Sequence, residues 1–159
     1  MSLDPRLFRS ACGRFATGVV VATCRTKSGD PAGVTVNSFT SVSLDPPLIL
    51  FCLDHGAYSV KVFADVEAFA INMLAGDQQE LSHVFATSVA DRFAGVGYTQ
   101  GHGGAPLLAG ALCHLECEIE HRYPGGDHEI IVGRVVNVTI AEKDGRPLIY
   151  YKGEYGALA

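Results

Sequence analysis

The sequence predicts a mainly β protein, an antiparallel β-barrel with peripheral helices, and three observations carry that expectation. Apolar and β-branched runs recur at residues 19–25, 32–39, 48–53, 68–74, 112–122, 129–140 and 148–151. Only two or three short helical patterns interrupt them, without the strand-helix alternation of a parallel sheet. Turn residues cluster between the runs, as in Lys27-Ser-Gly-Asp-Pro31 and Pro124-Gly-Gly-Asp127. With 159 residues, 48% of them hydrophobic and 18% charged, the chain can bury one core as a single domain over residues 1–159. No internal repeat, linker or low-complexity tract divides it.

Asp4-Pro5 supplies an N-cap and first helical residue, and Leu7, Ala11 and Phe15 follow at spacings of four before Gly18, so one amphipathic helix opens the chain. Residues 19–25 and 32–39 flank a Gly-Asp-Pro turn and form a hairpin. Asp45-Pro46-Pro47 is unsuited to a central strand, whereas 48–53 directly after it is fully apolar. A short helix is expected at 58–64, a strand at 68–74, and a helix at 77–86 with Leu81, Val84 and Phe85 inward and Gln78, Gln79 and Ser82 outward. Residues 95–104 read as a glycine-rich loop. Residues 112–122 alternate, with Cys113, Leu115, Cys117 and Ile119 on one face and His114, Glu116, Glu118 and Glu120 on a wet one. Their partner is 129–140, with Gly133 as a bulge or close approach. A short strand at 148–151 closes the chain.

Composition excludes several functions. Twelve basic against 17 acidic residues give a net charge of −5, too acidic for a phosphate-neutralising nucleic-acid face. Asp4, Pro5, Arg6 and Arg9 break up any signal-peptide stretch, and the apolar runs at 18–23 and 46–53 are far shorter than the roughly 20 residues that cross a bilayer. The expected location is the cytoplasm. Five cysteines, an odd number, read as reduced thiols there. The apolar surplus predicts a buried subunit interface, that of a homodimer.

Gly101-His-Gly103-Gly-Ala-Pro106 begins like a dinucleotide fingerprint, but Pro106 replaces the third glycine and no strand-to-helix context surrounds it. Cys113 and Cys117, four apart on a strand and thus roughly 13 Å apart, cannot share a metal ion, and no metal is expected. Cys24 and Cys52 lie in apolar runs that disfavour a thiolate nucleophile. The informative stretch is 33–43, Gly-Val-Thr-Val-Asn-Ser-Phe-Thr-Ser-Val-Ser, whose short polar side chains among apolar ones suit a planar, hydrogen-bonding ligand.

Extended to Thr35-Val-Asn-Ser-Phe-Thr-Ser-Val-Ser-Leu-Asp-Pro-Pro47, that stretch resembles the signature of the flavin reductase family, the short-chain reductase components of two-component monooxygenases. Phe15-Ala-Thr-Gly-Val19, Cys52-Leu53, Phe69-Ala-Ile-Asn72, Arg92-Phe93, Gly126-Asp-His128, Val132-Gly-Arg134 and Pro147-Leu-Ile-Tyr-Tyr151, with Gly153 and Tyr155, continue the likeness in order, from about residue 8 to residue 156. The resemblance implies an FMN-binding split barrel, dimeric, which uses NADH or NADPH to reduce FMN or FAD and supplies the reduced flavin to a partner oxygenase. It implies that Thr35, Val36, Asn37 and Ser38 line the isoalloxazine edge beside Cys52 and Leu53. Ser41, Ser59 and Arg92 are implied for the ribityl and phosphate groups, with Phe93 packing nearby, His128 where the nicotinamide docks, and Tyr155 closing over that pocket. Ala57 and Gly56 depart from the pattern, where relatives carry serine and arginine, with His55 and Lys61 as substitutes; this predicts weaker flavin binding. A non-catalytic FMN-binding or electron-carrier protein on the same barrel is the alternative, as is a pyridoxamine-phosphate oxidase-like or haem-handling use of the fold.

Overall fold

The structure, a computed structural model, describes residues 2–159. Helix α1 (Pro5–Cys12) starts where Asp4 Oδ1 accepts the Arg6 backbone N–H at 2.9 Å with Pro5 in the first turn. Strands β1 (Thr17–Gly18), β2 (Val20–Arg25), β3 (Pro31–Val36), β4 (Thr40–Leu44) and β5 (Pro47–Asp54) precede α2 (Tyr58–Phe63). Then come β6 (Ala68–Met73), α3 (Gln79–Ala86), β7 (Tyr98–Gln100), a 3₁₀ turn at His102–Gly104, β8 (Pro106–Leu108), β9 (Cys113–Gly125), β10 (His128–Ile140), β11 (Ile149–Tyr151) and β12 (Glu154–Gly156).

Seven strands form one antiparallel sheet in the order β3-β2-β6-β9-β10-β5-β4. It curls until β3 comes near β5, but the edge strands β3 and β4 do not pair with each other, so the expected barrel is split rather than closed. Helix α2 packs against both β3 and β5 across the split. Just beyond β3, the Ser38 hydroxyl accepts the Cys52 N–H at 2.9 Å and lies 3.3 Å from the Cys52 carbonyl, joining the same two margins. Two smaller sheets, β1-β11-β12 and β7-β8, lie outside.

Strand β2 is buried on both faces because it separates two cores. Val20, Ala22 and Cys24 point into the curl with Phe51, Phe63 and Phe69, whereas Val19 and Val21 pack with Leu74, Phe85 and Leu148 under α3 and the C-terminal strands. The Phe51 ring meets Phe63 and Phe69 edge to face, at 5.8 and 5.2 Å. Gly133 sits at a register shift in the β9–β10 ladder, and a Cβ there would overlap Phe69. The expected bulge is therefore also a close approach.

Five expectations need correction. The β9 face carrying His114 and Glu116 is not wet: Glu116 is 6% exposed and His114 is half-buried. They belong to a polar row that clamps the segment 101–108. Thr23 Oγ1 donates to the Pro106 carbonyl, Asn72 Oδ1 accepts the Leu108 N–H at 2.8 Å, and Glu116 accepts the His102 N–H and an Asn137 amide N–H. Residues 95–104, expected as a loop, carry β7 and the 3₁₀ turn, and β8 follows at once, because these side chains satisfy the backbone of 101–108. Ser82, placed on the outer side of α3, is completely buried beneath Tyr155. The apolar stripe of α1 buries none of its residues, and Phe15, 79% exposed, lies beyond its end. Finally, the strand expected over 32–39 ends at Val36, and Thr40–Leu44 forms a separate edge strand, β4, after Asn37-Ser38-Phe39.

Candidate active site

The residues singled out by sequence fall into three places. The first is the seam between β3 and β5. Thr35 and Val36 end β3, Asn37 is exposed in the connection, and Ser38 is bonded to Cys52. Ser38 therefore commits its side chain to the fold, and Thr35 does likewise by donating to the Ser82 carbonyl at 2.7 Å. Asn37 makes no side-chain hydrogen bond among the described residues, which leaves its amide free to meet a ligand. Leu53 is buried and Cys52 half-buried; burial raises the Cys52 thiol pKa, with the Ser38 hydrogen bond opposing, so Cys52 is no thiolate nucleophile.

Strand β10 connects this seam to the second place. Ile130 lies opposite Cys52, Glu129 opposite Leu53, and His128 opposite Asp54 at the rim. His128 Nδ1 is 2.7 Å from Asp127 Oδ1. The hydrogen bond and positive charge offered by His128 hold the Asp127 carboxyl below its ordinary range. A carboxylate on Nδ1 makes that nitrogen the proton carrier and presents Nε2 outward.

The third place is a groove of about 990 Å³ between the β2–β3 turn, α2 and the segment 88–93. Ser59, Arg92 and Phe93 all line it, although 33 residues separate Ser59 from Arg92 in the sequence. Ser59 is 6% exposed and its hydroxyl has no hydrogen-bond partner among the described residues. Arg92 donates from Nη1 to the Gly33 carbonyl at 2.8 Å and from Nε to the Thr87 carbonyl at 3.0 Å, leaving Nη2 without an acceptor among the described residues. Phe93 stacks edge to face on Phe85 and Tyr98, which stiffens the arginine's support. A buried unpaired hydroxyl and a braced guanidinium on one groove suit an anion with several acceptor oxygens, so these residues fit a flavin phosphate. Ala57 caps α2 without a side-chain hydrogen bond, and Gly56 instead donates its N–H to Asp54.

Two candidates stand elsewhere. Ser41 is exposed on edge strand β4, opposite Ile49, and does not line the groove. The Tyr155 hydroxyl lies 2.7 Å from Ser82 Oγ and its ring packs on Tyr150 in the second core, so within one chain it braces α3 rather than closing over the His128 rim. Sequence reasoning missed Ser82, which links Tyr155 to Thr35, because a serine beside Gln78 and Gln79 reads as surface. Tyr58 and the Thr26–Asp30 turn along the groove were also missed, since exposed polar and aromatic residues carry no periodic signal.

Comparisons with known proteins give the family. A family model described as flavin reductase like domain matches residues 12–159. The chain is similar to the flavin-dependent monooxygenase reductase subunit HsaB of Rhodococcus jostii, 38% identical over 97% of this chain and 78% of that one. It is also similar to a protein of Rhizobium meliloti named "Probable flavin reductase", 44% identical over 96% of this chain, of whose length the chain spans about half, 48%. Among solved structures, the Streptomyces globisporus NADH:FAD oxidoreductase SgcE6, in complex with NAD and FAD fragments, superposes with a TM-score of 0.91 at 37% identity, covering 100% of this chain and 97% of that one. With residues 12–159 matched by that model, the chain belongs to the flavin reductase family.

Proposed function

We propose that the chain is an NAD(P)H:flavin oxidoreductase that reduces free flavin and releases it to a separate flavin-dependent oxygenase. The observation that carries this reading is the convergence of the groove at Ser59 and Arg92, the β3–β5 seam and the His128 rim around one split of the barrel. The flavin supplies the redox chemistry, a ring that accepts a hydride from reduced nicotinamide. The chain's own contribution is positioning and electrostatics. Ser59 and Arg92 hold the phosphate, while Asn37 and the backbone at Val36–Ser38 meet the polar edge of the ring. His128, oriented by Asp127, stands at the rim where a nicotinamide enters. No protein acid, base or covalent nucleophile is needed, consistent with cysteine thiols that burial raises rather than activates.

Relatives named as monooxygenase reductase subunits support the oxygenase partner. The homodimer rests on an unpaired sheet margin: pairing of β10 with β5 stops at Arg134–Leu48, and beyond it Val136, Val138 and Ile140 are exposed, as are Val42 and Leu44 on β4. The all-thiol cysteine complement fits the reducing cytoplasm, where NADH is available. Among the described residues no helix is long and apolar enough to cross a membrane. Steady-state NADH oxidation tests the activity: the rate must depend on added free flavin and saturate with it. Saturable flavin binding without NADH consumption would instead favour the electron-carrier reading.

A further inference from the structure

Helix α2 carries Ser59 to the groove, yet little within the helix fixes its place. It has 6 residues, its cap residue Ala57 makes no side-chain hydrogen bond, and its first turn holds no acid. So short a helix is marginal by itself, and its last carbonyls lack donors within the helix. Both ends are instead tied to the β9–β10 hairpin. Ahead of the helix, the His55 N–H donates to the Asp127 carbonyl at 3.0 Å. At its end, Arg122 Nη2 donates from β9 to the Phe63 carbonyl at 2.6 Å and to the Val66 carbonyl at 3.0 Å, while Nη1 lies 3.7 Å from Glu129 Oε1 on β10. We propose that Arg122 is a positioning residue for flavin, which holds α2 so that Ser59 meets the phosphate and does not itself touch the ligand; the proposal rests on the flavin reading above.

Ser59 and Phe63 are the buried residues of α2 and stand one turn apart on the same face. Holding the Phe63 carbonyl therefore holds Ser59, about 6 Å further up the axis. The Phe63 ring also meets Phe51 in the core, but apolar contact is non-directional, whereas two hydrogen bonds from one nitrogen fix the direction of the helix end. Tyr58, Ser59, Val62 and Phe63 line the groove and Arg122 does not, so a change at Arg122 reaches a ligand there through the helix. The guanidinium is braced in turn: 24% of the Arg122 side chain is exposed, and 20% of the Glu129 side chain beside it. Glu129 lies opposite Leu53 and, as the strand neighbour of His128, points to the other face of β10. The clamp thus serves the phosphate side and leaves the nicotinamide rim alone. A lysine at 122 would keep the charge but lacks the planar fork that spans two carbonyls and a carboxylate.

Calorimetric titration with FMN and FAD, together with flavin-dependent NADH oxidation, tests this on the full-length Arg122→Met protein. The Kd and KM for flavin should rise roughly tenfold, while kcat at saturating flavin and the KM for NADH stay within about twofold of the unsubstituted protein. Arg122→Lys should show a smaller rise in flavin Kd, about threefold. It decides the question if Arg122→Met does not fold, unchanged affinity then overturning the proposal. Gly133→Ala, which strains the core at Phe69, controls for lost stability, and its flavin Kd should change by less than about twofold. An Arg122→Met protein that is less stable yet binds flavin as before would overturn the proposal and leave the flavin reading intact. So would equal rises in the KM for flavin and for NADH, or a Gly133→Ala protein that loses flavin affinity as far as Arg122→Met does. If the unsubstituted protein binds neither flavin, the flavin reading itself falls and the role of Arg122 with it.

Discussion

Replacing Ser59 by alanine should move stability and binding in opposite directions. The Ser59 side chain is 6% exposed on the second residue of α2, and its hydroxyl meets no partner among the described residues. An unpaired buried hydroxyl costs about 1–3 kcal/mol, and alanine is the better helix former by a few tenths. Methyl replacement leaves almost no cavity, so the flavin-free protein should gain about 1 kcal/mol, a rise of about 2–4 °C in Tm for a chain of this length. If the same hydroxyl donates to a flavin phosphate, its loss removes a hydrogen bond to a charged acceptor, worth about 1.5–3 kcal/mol, and affinity should fall roughly ten- to hundredfold. Thermal unfolding without flavin and calorimetric flavin titration read the two effects on one sample. A less stable variant would show that the hydroxyl is already satisfied within the fold. Unchanged affinity would remove Ser59 from the site.

His128→Ala should raise the KM for NADH by roughly tenfold, the loss of about one hydrogen bond, while flavin affinity stays the same; weakened flavin binding at unchanged KM would misplace the rim. Gly133→Ala should destabilise by about 1–3 kcal/mol in urea unfolding, because the added Cβ would overlap Phe69 Cζ, lie 2.8 Å from its Cε1 and approach Cys117 in a closed core. A change under about 0.5 kcal/mol would mean the bulge yields freely. His114 supplies an acid limb to stability. Burial lowers its pKa below the ordinary 6.5, partly opposed by Glu116, so the unfolded chain takes up the proton first. Stability should therefore fall as pH drops below about 6.5, the loss ending once folded His114 is itself protonated, and His114→Gln should flatten that limb in unfolding measured across pH.

The longer strands were legible because apolar periodicity reports burial directly, and the antiparallel barrel followed from their number and turns, whereas its being split was implied by the family resemblance alone. Two misreadings share one cause. Alternation along β9 marks His114 and Glu116 as a polar face, and so they are, but Pro106, Leu108 and His102 bring backbone donors and acceptors onto that face and bury it. Polarity in a sequence does not reveal whether its partner is water or a distant backbone group. Asn72 shows the same limit. It lies within an apolar strand, yet its amide donates to the Val21 carbonyl and to Thr23, and its oxygen accepts from Leu108. That orientation makes His114 Nδ1, 2.9 Å away, a donor to the same oxygen.

The site was legible as motifs but not as roles. Thr35 and Ser38 stand where the motif places them, yet their hydroxyls are spent on Ser82 and Cys52, so the seam offers a ligand its backbone and Asn37. Arg92 and Ser59 were implied for one group, and the groove brings them together. Its extension past Tyr58 and Asp30 depends on a turn, a helix and a loop meeting across the split, which no local pattern encodes. The likeness at Tyr155 lies in sequence position, whereas its hydrogen bond to Ser82 is set by how the C-terminal strands fold back on α3, which no local pattern encodes.

The central claim is that this chain passes hydride equivalents from a nicotinamide dinucleotide to a flavin held at the split. Anaerobic rapid mixing of the protein and oxidised FAD with NADH, followed by visible flavin absorbance, tests it most directly. The account predicts rapid, complete bleaching that becomes much slower in the Ser59→Ala and His128→Ala proteins at subsaturating FAD and NADH respectively. Flavin that binds and stays oxidised in the presence of either NADH or NADPH would contradict it.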